Sequence, residues 1–269
     1  MASRLREYHN LFAPLFRRAE QRRWSLSYLS GLLRPDLGRK SIEHMARALP
    51  DGNVQALQQF IGVGAWDDEE ILDVHQRLVA ETIGDEPSGV LVVCRLDFAK
   101  QGSHSVGVSR QPSDGALLNC QSSLIACYAS RRGCVIVDRR LFMPEQWFSP
   151  AYEERRRRCG VPPALRFRSR SELARDMIHA AERRRALPFR LATVDPRVEP
   201  ERRPSEPTAG EGLVLAASAA AAAAIQEAID RLGMADYEVR GWVGWHHHMT
   251  MTALAHHFLV RQRRRGEDA

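Results

Sequence analysis

Residues 89–94 read Gly-Val-Leu-Val-Val-Cys, and residues 191–194 read Leu-Ala-Thr-Val ahead of Asp195. The first stretch is a continuous apolar run rich in β-branched side chains, the pattern of a buried strand. The second predicts a short strand that ends at an acid. Between them Ser105–Ser109, Asn119–Tyr128 and Gly133–Asp138 read as three further strands, and Ser171–Arg185 as a helix with Ser169 or Ser171 as its N-cap.

Upstream of residue 87 the periodicity is helical. Leu5, Tyr8 and Phe12 share one face until Pro14 interrupts. Ile42, Met45, Ala46 and Leu49 predict a helix after Lys40, and Val54, Leu57 and Phe60 another. A fourth spans Asp67–Ile83, opened by four acids that suit the positive end of a helix dipole. Downstream, residues 196–210 (PRVEPERRPSEPTAG) have the composition of a disordered linker. The alanine run 216–224 continues as a helix to Leu232, with Gly233 as its stop, and a last helix covers 242–260 ahead of a basic tail, Arg261–Arg265. The expected class is α/β. A helical N-terminal domain takes 1–86, a core begins over 87–195, a linker follows over 196–215, and C-terminal helices with the basic tail fill 216–269.

Hydrophobic residues make up 44% of the 269, enough for a buried core. Lys plus Arg number 39 against 33 Asp plus Glu, a net charge of +6. Only Lys40 and Lys100 are lysines, so the excess is carried by guanidiniums, which pair well with phosphates. Charge alone leaves an ordinary soluble surface and a polyanion partner about equally open. The five cysteines at 94, 120, 127, 134 and 159 form no CxxC pair and read as reduced, buried thiols of a cytoplasmic protein. No apolar run approaches the ~18 residues that span a bilayer, and MASRLREYHNLF lacks the apolar stretch of a secretory signal.

Short segments in a shared order carry a resemblance. They include Arg39–Glu43 with Gly52–Phe60, Phe98–Gly102 with His104–Val108, and Asn119–Gln121 with Tyr128–Ser130. Asp138–Glu145 with Trp147 follows, then Arg155–Arg158 leading to Gly160–Pro162. Near the end come Leu232–Gly233, Tyr237–Glu238, Gly241–Trp242 with His248, and Leu254–His256. In this order they resemble DDE insertion-sequence transposases of the seven-oh-one type, relatives of the IS-four group. The resemblance implies an RNase H-like core in which three carboxylates hold two Mg²⁺ or Mn²⁺ ions for phosphodiester cleavage and strand transfer. It also implies double-stranded DNA of transposon ends as partner, and a homodimer acting on paired ends.

Against that pattern the chain is incomplete. Arg95 stands where the first carboxylate belongs, in Cys94-Arg-Leu-Asp-Phe-Ala-Lys-Gln-Gly102. Asp195 keeps the second place, but Pro196-Arg197 follows and a segment is missing. The third place falls at Ala222. The expected metal ligand and catalytic carboxylate is therefore Asp195, with Asp97 and Glu227 as the candidate replacements. Asp97 lies two residues, roughly 6–7 Å, along the strand from Arg95, and Glu227 about 140° around the helix from Ala222. Their bland reading is as ordinary surface acids.

Lys40, Asn53, Gln55 and Gln58 are candidate DNA contacts on the N-terminal helices, and Lys100, Arg155 and Arg156 candidate contacts on the core. Each type is also common on solvated faces. His246, His247, His248, His256 and His257 lack neighbouring acids or cysteines at ligand spacing and read as packing or phosphate contacts. Two functions of different class follow: a transposase relative without cleavage, or a DNA-binding protein that occupies transposon ends or represses an active relative. A third reading is a decayed product that barely folds.

Overall fold

The computed structural model describes residues 2–113, 115–198 and 210–267. Five strands form one mixed sheet: β1 (Val90–Ala99), β2 (Ser109–Ser113), β3 (Ala116–Ser130), β4 (Gly133–Leu141) and β5 (Leu191–Val194). β3 runs antiparallel to β1 on one side; on the other it pairs with β4 through one end and β2 through the other. β5 lies parallel to β1, with Val93 opposite Val194. That register carries the chain out of β5 at Asp195, whose N–H donates to the Val93 carbonyl at 2.8 Å.

The helices are α1 (Ala2–Asn10), α2 (Ala19–Leu32), α3 (Ile42–Ala48), α4 (Val54–Gly62), α5 (Asp68–Ile83), α6 (Glu153–Arg158), α7 (Arg170–Arg184), α8 (Glu211–Leu232) and α9 (Trp242–Glu267). One sheet face, with Leu91, Val93, Leu124 and Val135, packs on Val79 and Ile83 of α5 and Ala174 and Met177 of α7. The other face, with Val92, Cys94, Ile125 and Ile136, joins a larger cluster built with α8, α9 and the N-terminal helices. Helices thus cover both faces of a mixed sheet, an α/β architecture consistent with a DDE nuclease fold.

Several expectations change. Helix α2 was not foreseen: Ser25, Tyr28, Leu29 and Leu32 do recur at helical spacing, but arginines and serines dilute the stripe. Ser105–Ser109 is a turn rather than a strand, with the Val106 N–H on the Arg240 carbonyl at 2.9 Å, and β2 begins only at Ser109. Of the expected linker, residues 199–209 lie outside the described residues, Val198 is buried, and α8 is already helical from Glu211. The basic tail continues α9 to Glu267. The larger hydrophobic cluster runs unbroken across residue 86.

One helix among the described residues, α8, is apolar and long enough to cross a membrane by length and composition, with mean hydropathy 1.6 over 18 residues. This corrects the expectation that no run reaches that length; alanine supplies the apolarity. Here Ala217, Ala221, Ile225 and Ala228 of α8 are buried in the protein's own core. The cysteines are all free thiols, and Cys134 alone is not buried.

Helix α9 lies at the centre, and its five histidines and two threonines are buried with it. His248 Nδ1 meets the Tyr28 hydroxyl at 2.8 Å, and His257 sits between the hydroxyls of Tyr8 (3.1 Å) and Thr82 (3.0 Å). His247 stands between the carbonyls of Ile61 and Trp66, donating through one ring nitrogen. These histidines are placed for packing, which excludes phosphate contact. Burial lowers the pKa of His9, His247 and His248 to about 4 and of His75 to about 3, and pushes His246 and His257 down as well.

The sign follows from linkage. The unfolded chain takes up protons below about pH 6.5, and the folded chain does not until far lower. Stability contributed by neutral burial is therefore complete above pH 6.5 and lost as pH falls towards 4. We expect a steep fall in melting temperature between pH 6.5 and 4.5, followed by circular dichroism. Neither ring nitrogen of His75 has a protein partner, so His75→Leu should flatten that fall without lowering stability at pH 8. A melting temperature constant down to pH 4 would contradict this account.

Candidate functional site

Where β1 and β5 run side by side, their ends face α8 across a cavity of about 690 Å³. Cys94, Arg95, Asp195, Arg197, Ala222 and Gln226 are among its lining residues. The parallel pairing of β5 with β1 brings Asp195 beside Arg95, and the helical stripe of α8 turns Ala222 towards both.

Asp195 is 13% exposed at its side chain. Its Oδ1 accepts the Arg197 backbone N–H at 2.8 Å, a turn closed by the carboxylate itself. Its Oδ2 accepts from the Arg197 guanidinium at 2.8 Å and, at 3.4 Å, from the Arg95 backbone N–H. Burial opposes the charge on Asp195, but the hydrogen bonds and positive charge of Arg197 outweigh it and hold the carboxyl below its usual range. The Arg197 guanidinium also donates to the Arg95 carbonyl at 3.1 Å, which ties the turn to the central strand.

Arg95 does not point at Asp195. Its guanidinium binds Asp97 at 2.8 Å and the Pro112 carbonyl at 2.5 Å, and both charged side chains of the pair are nearly buried, 12% and 11% exposed. Asp97 is thus held by the cation that occupies the first carboxylate place. Glu227 does not line the cavity. It is gripped by Arg231 at 2.6 Å and Arg263 at 2.7 Å, with His256 Nε2 at 3.5 Å. Its pKa is driven down by hydrogen bonds to His256 and Arg263, against the effect of burial. Among the described residues, Asp195, Asp97 and Glu227 form no common metal-binding cluster, and the two candidate replacements are each held by arginines.

A pair of Mg²⁺ or Mn²⁺ ions needs converging oxygen ligands. The cavity offers Asp195, already bidentate to a guanidinium, with Arg95 and Ala222 beside it. Among the described residues no three His, Cys, Asp or Glu side chains converge on one point. The residues present do not fit a two-metal centre.

The candidate DNA contacts divide. Lys40 is 4% exposed; its ammonium donates to the Leu32 carbonyl at 2.6 Å and to that of Arg34, closing the end of α2. Burial lowers its pKa to about 8. It is a capping residue and is removed from the set of phosphate contacts. Lys100 lies 3.7 Å from the Tyr237 ring and is half-buried, again with its pKa lowered to about 8 by burial. Arg156 donates to the carbonyls of Trp147 and Ser149, and Arg155 lies over Tyr152 at 4.9 Å. Arg157 and Arg158 both bind Glu154. Gln55 and Gln58 stand exposed on α4, and Asn53 caps that helix by accepting from the Ala56 N–H at 2.9 Å.

Sequence reasoning missed Arg197 as the partner of Asp195. Its signal was present: an acid, a proline and an arginine at i, i+1 and i+2 form a turn that returns the guanidinium to the carboxylate.

A mixed sheet covered by helices, in which a strand parallel to the central one ends at a cleft-lining aspartate, defines an α/β protein. The chain belongs to the DDE superfamily endonuclease family, whose profile matches residues 11–197, more than two-thirds of the 269. The match takes in every strand and stops just past Asp195. No curated protein and no solved structure matches the chain.

Because the Arg197 guanidinium helps to outweigh burial at Asp195, Arg197→Ala leaves only the backbone donors to oppose burial and should raise the Asp195 pKa. Carbon-13 NMR titration of the labelled carboxyl measures this directly. A pKa as low in the variant as in the parent chain would mean that the backbone donors alone hold the charge.

Proposed function

We propose that this chain is an internally truncated transposase relative of the seven-oh-one type, related to the IS-four group, that binds transposon-end DNA and does not cut it. Its family implies transposase-like nuclease activity with divalent metal ions. On this reading residues 1–86 supply DNA binding and 87–195 the first part of an RNase H-like core. Residues 216–269 then supply the core's last helices behind a deletion, and two copies act on paired ends in the cytoplasm.

The observation that carries the reading is the ion pair of Arg95 with Asp97 at the first carboxylate place, beside an Asp195 claimed by Arg197. A guanidinium cannot ligate a metal ion, and it repels one. The same observation favours the second reading, a non-catalytic protein that occupies transposon ends or represses an active relative, since binding needs no metal.

The test combines retardation and nicking of labelled end DNA in Mn²⁺, with Asp195→Ala alongside. Retardation without nicking is expected in both proteins. Nicking that Asp195→Ala abolishes would overturn the proposal. A triple variant, Arg95→Asp with Arg197→Ala and Ala222→Glu, places three carboxylates around one cavity. It should bind Mn²⁺ by calorimetry where the parent chain does not.

A further inference from the structure

We infer that the outer surface formed by the start of α2 and the exposed side of α4 is the face that receives double-stranded DNA, with Arg17, Arg18 and Arg23 on phosphates and the α4 glutamines over the groove. The inference rests on the DNA-binding reading above and assigns it a place on the molecule that none of the expected basic contacts occupies.

The first observation is a charge placement that folding does not favour. Arg17, Arg18, Arg22 and Arg23 crowd the positive end of α2, where acids stabilise and cations destabilise. Arg18 is the N-cap itself, a position that favours Ser, Thr, Asp or Asn because their oxygens accept the first-turn N–H groups; a guanidinium has no acceptor. All four arginines are exposed, and among the described residues none pairs with a carboxylate. Other exposed arginines of the chain do hold carboxylates, as Arg34 with Asp36, Arg47 with Glu43 and Arg157 with Glu154. Arg22 is partly engaged, donating to the Phe16 carbonyl at 2.8 Å. Arg23 lies over the Trp24 ring at 4.8 Å.

The second observation is the side of α4 that faces outward. Leu57, Phe60 and Ile61 are buried, while Gln55, Gln58 and Gln59 are exposed together. No charged residue occurs in α4, in a chain where 27% of residues are charged. A helix face kept only for water ordinarily carries Lys, Arg or Glu. Amide side chains have a donor and an acceptor each and match the edges of bases in a major groove.

The two sets meet. A crevice of about 420 Å³ is lined by Arg18, Gln21 and Trp24 from α2 and by Asn53, Gln59 and Val63 from α4, with Glu20 its one lining acid. A short connection over residues 49–53 joins α3 to α4, and both pack against α2. Such a unit can lay one helix in a groove while its neighbour tracks the backbone.

The experiment uses the full chain and a fluorescent 30-base-pair duplex of random sequence, titrated by anisotropy at several salt concentrations. Arg17→Gln with Arg18→Gln and Arg23→Gln should lower affinity at least tenfold and make the salt dependence shallower by about two to three units, near 0.9 per lost phosphate contact. The same variant should melt no lower than the parent, because it relieves repulsion at the start of α2. Gln55→Ala with Gln58→Ala and Gln59→Ala should leave that slope unchanged and abolish the sequence preference obtained by selection from a random duplex library. If the parent binds and the arginine variant matches it in affinity and slope, this inference falls while DNA binding stands. If the parent fails to bind at 50 mM salt, the proposed function falls and takes the inference with it.

Discussion

The structure depends on satisfying the buried polar groups of α9. A helix that carries five histidines and two threonines into the core costs desolvation at each one unless a partner waits there. The partners come from separate parts of the chain: Tyr8 on α1, Tyr28 on α2, Thr82 on α5, and the carbonyls of Ile61 in the last turn of α4 and of Trp66 beyond it. An apolar helix can slide by a turn and still bury its surface. A helix pinned at His247, His248 and His257 cannot, because any shift leaves several donors and acceptors unpaired at once. The register of α9 against the N-terminal helices is thereby fixed.

That fixed helix is also what joins the two halves. On one side α9 meets α2, α4 and α5; on the other it meets β4, and α8 packs between it and the strands. A second polar tie reinforces the junction. Arg139, buried on β4, binds Asp68 and Glu69 at the start of α5, and Arg140 and Asp138 complete the cluster. The acids that read as a favourable first turn of α5 therefore have a second task. They neutralise guanidiniums that the sheet presents from below.

What the sequence made legible was whatever local periodicity or a run of one residue type decides. The apolar run of β1, the four residues of β5 and the acid-capped α5 were readable because each is fixed by its own residues. Helix α2 was not, since Ser25 and Gly31 lie on its buried side and only tertiary packing makes them core positions. Lys40 shows the same limit for a site. As one of two lysines beside polar helices it read as a phosphate contact, yet the end of α2 folds over it and takes its ammonium for two carbonyls. His247 and the Nδ1 of His248 gave no hint of their partners, because Ile61, Trp66 and Tyr28 are distant in sequence; only His246 meets a carbonyl of its own helix, that of Trp242. At the candidate cleft, the place of Ala222 came from the family resemblance alone, and the pairing of β5 with β1 was not legible. That Arg95 turns to Asp97 was not legible either, since the chain offers it both Asp97 and Asp195.

The cleft has a simple electrostatic logic. In a two-metal site, several carboxylates crowd together only because the ions supply the compensating positive charge. Remove two of the three carboxylates and the metals lose both ligands and their reason to stay. Here the one surviving carboxylate and the acid two residues along from the lost one each have a resident cation: Arg197 for Asp195, Arg95 for Asp97. The guanidiniums do the neutralising that metal ions would do, at lower desolvation cost than a divalent ion and with no exchangeable coordination site. Restoring one carboxylate therefore would not restore metal affinity. A new acid at position 222 alone would face Arg197, and a new acid at 95 alone would set a second carboxylate near Asp97 in place of the guanidinium that now binds it. Both arginines and the alanine must change together, because the present arrangement is a balanced state of its own rather than a metal site with one part missing.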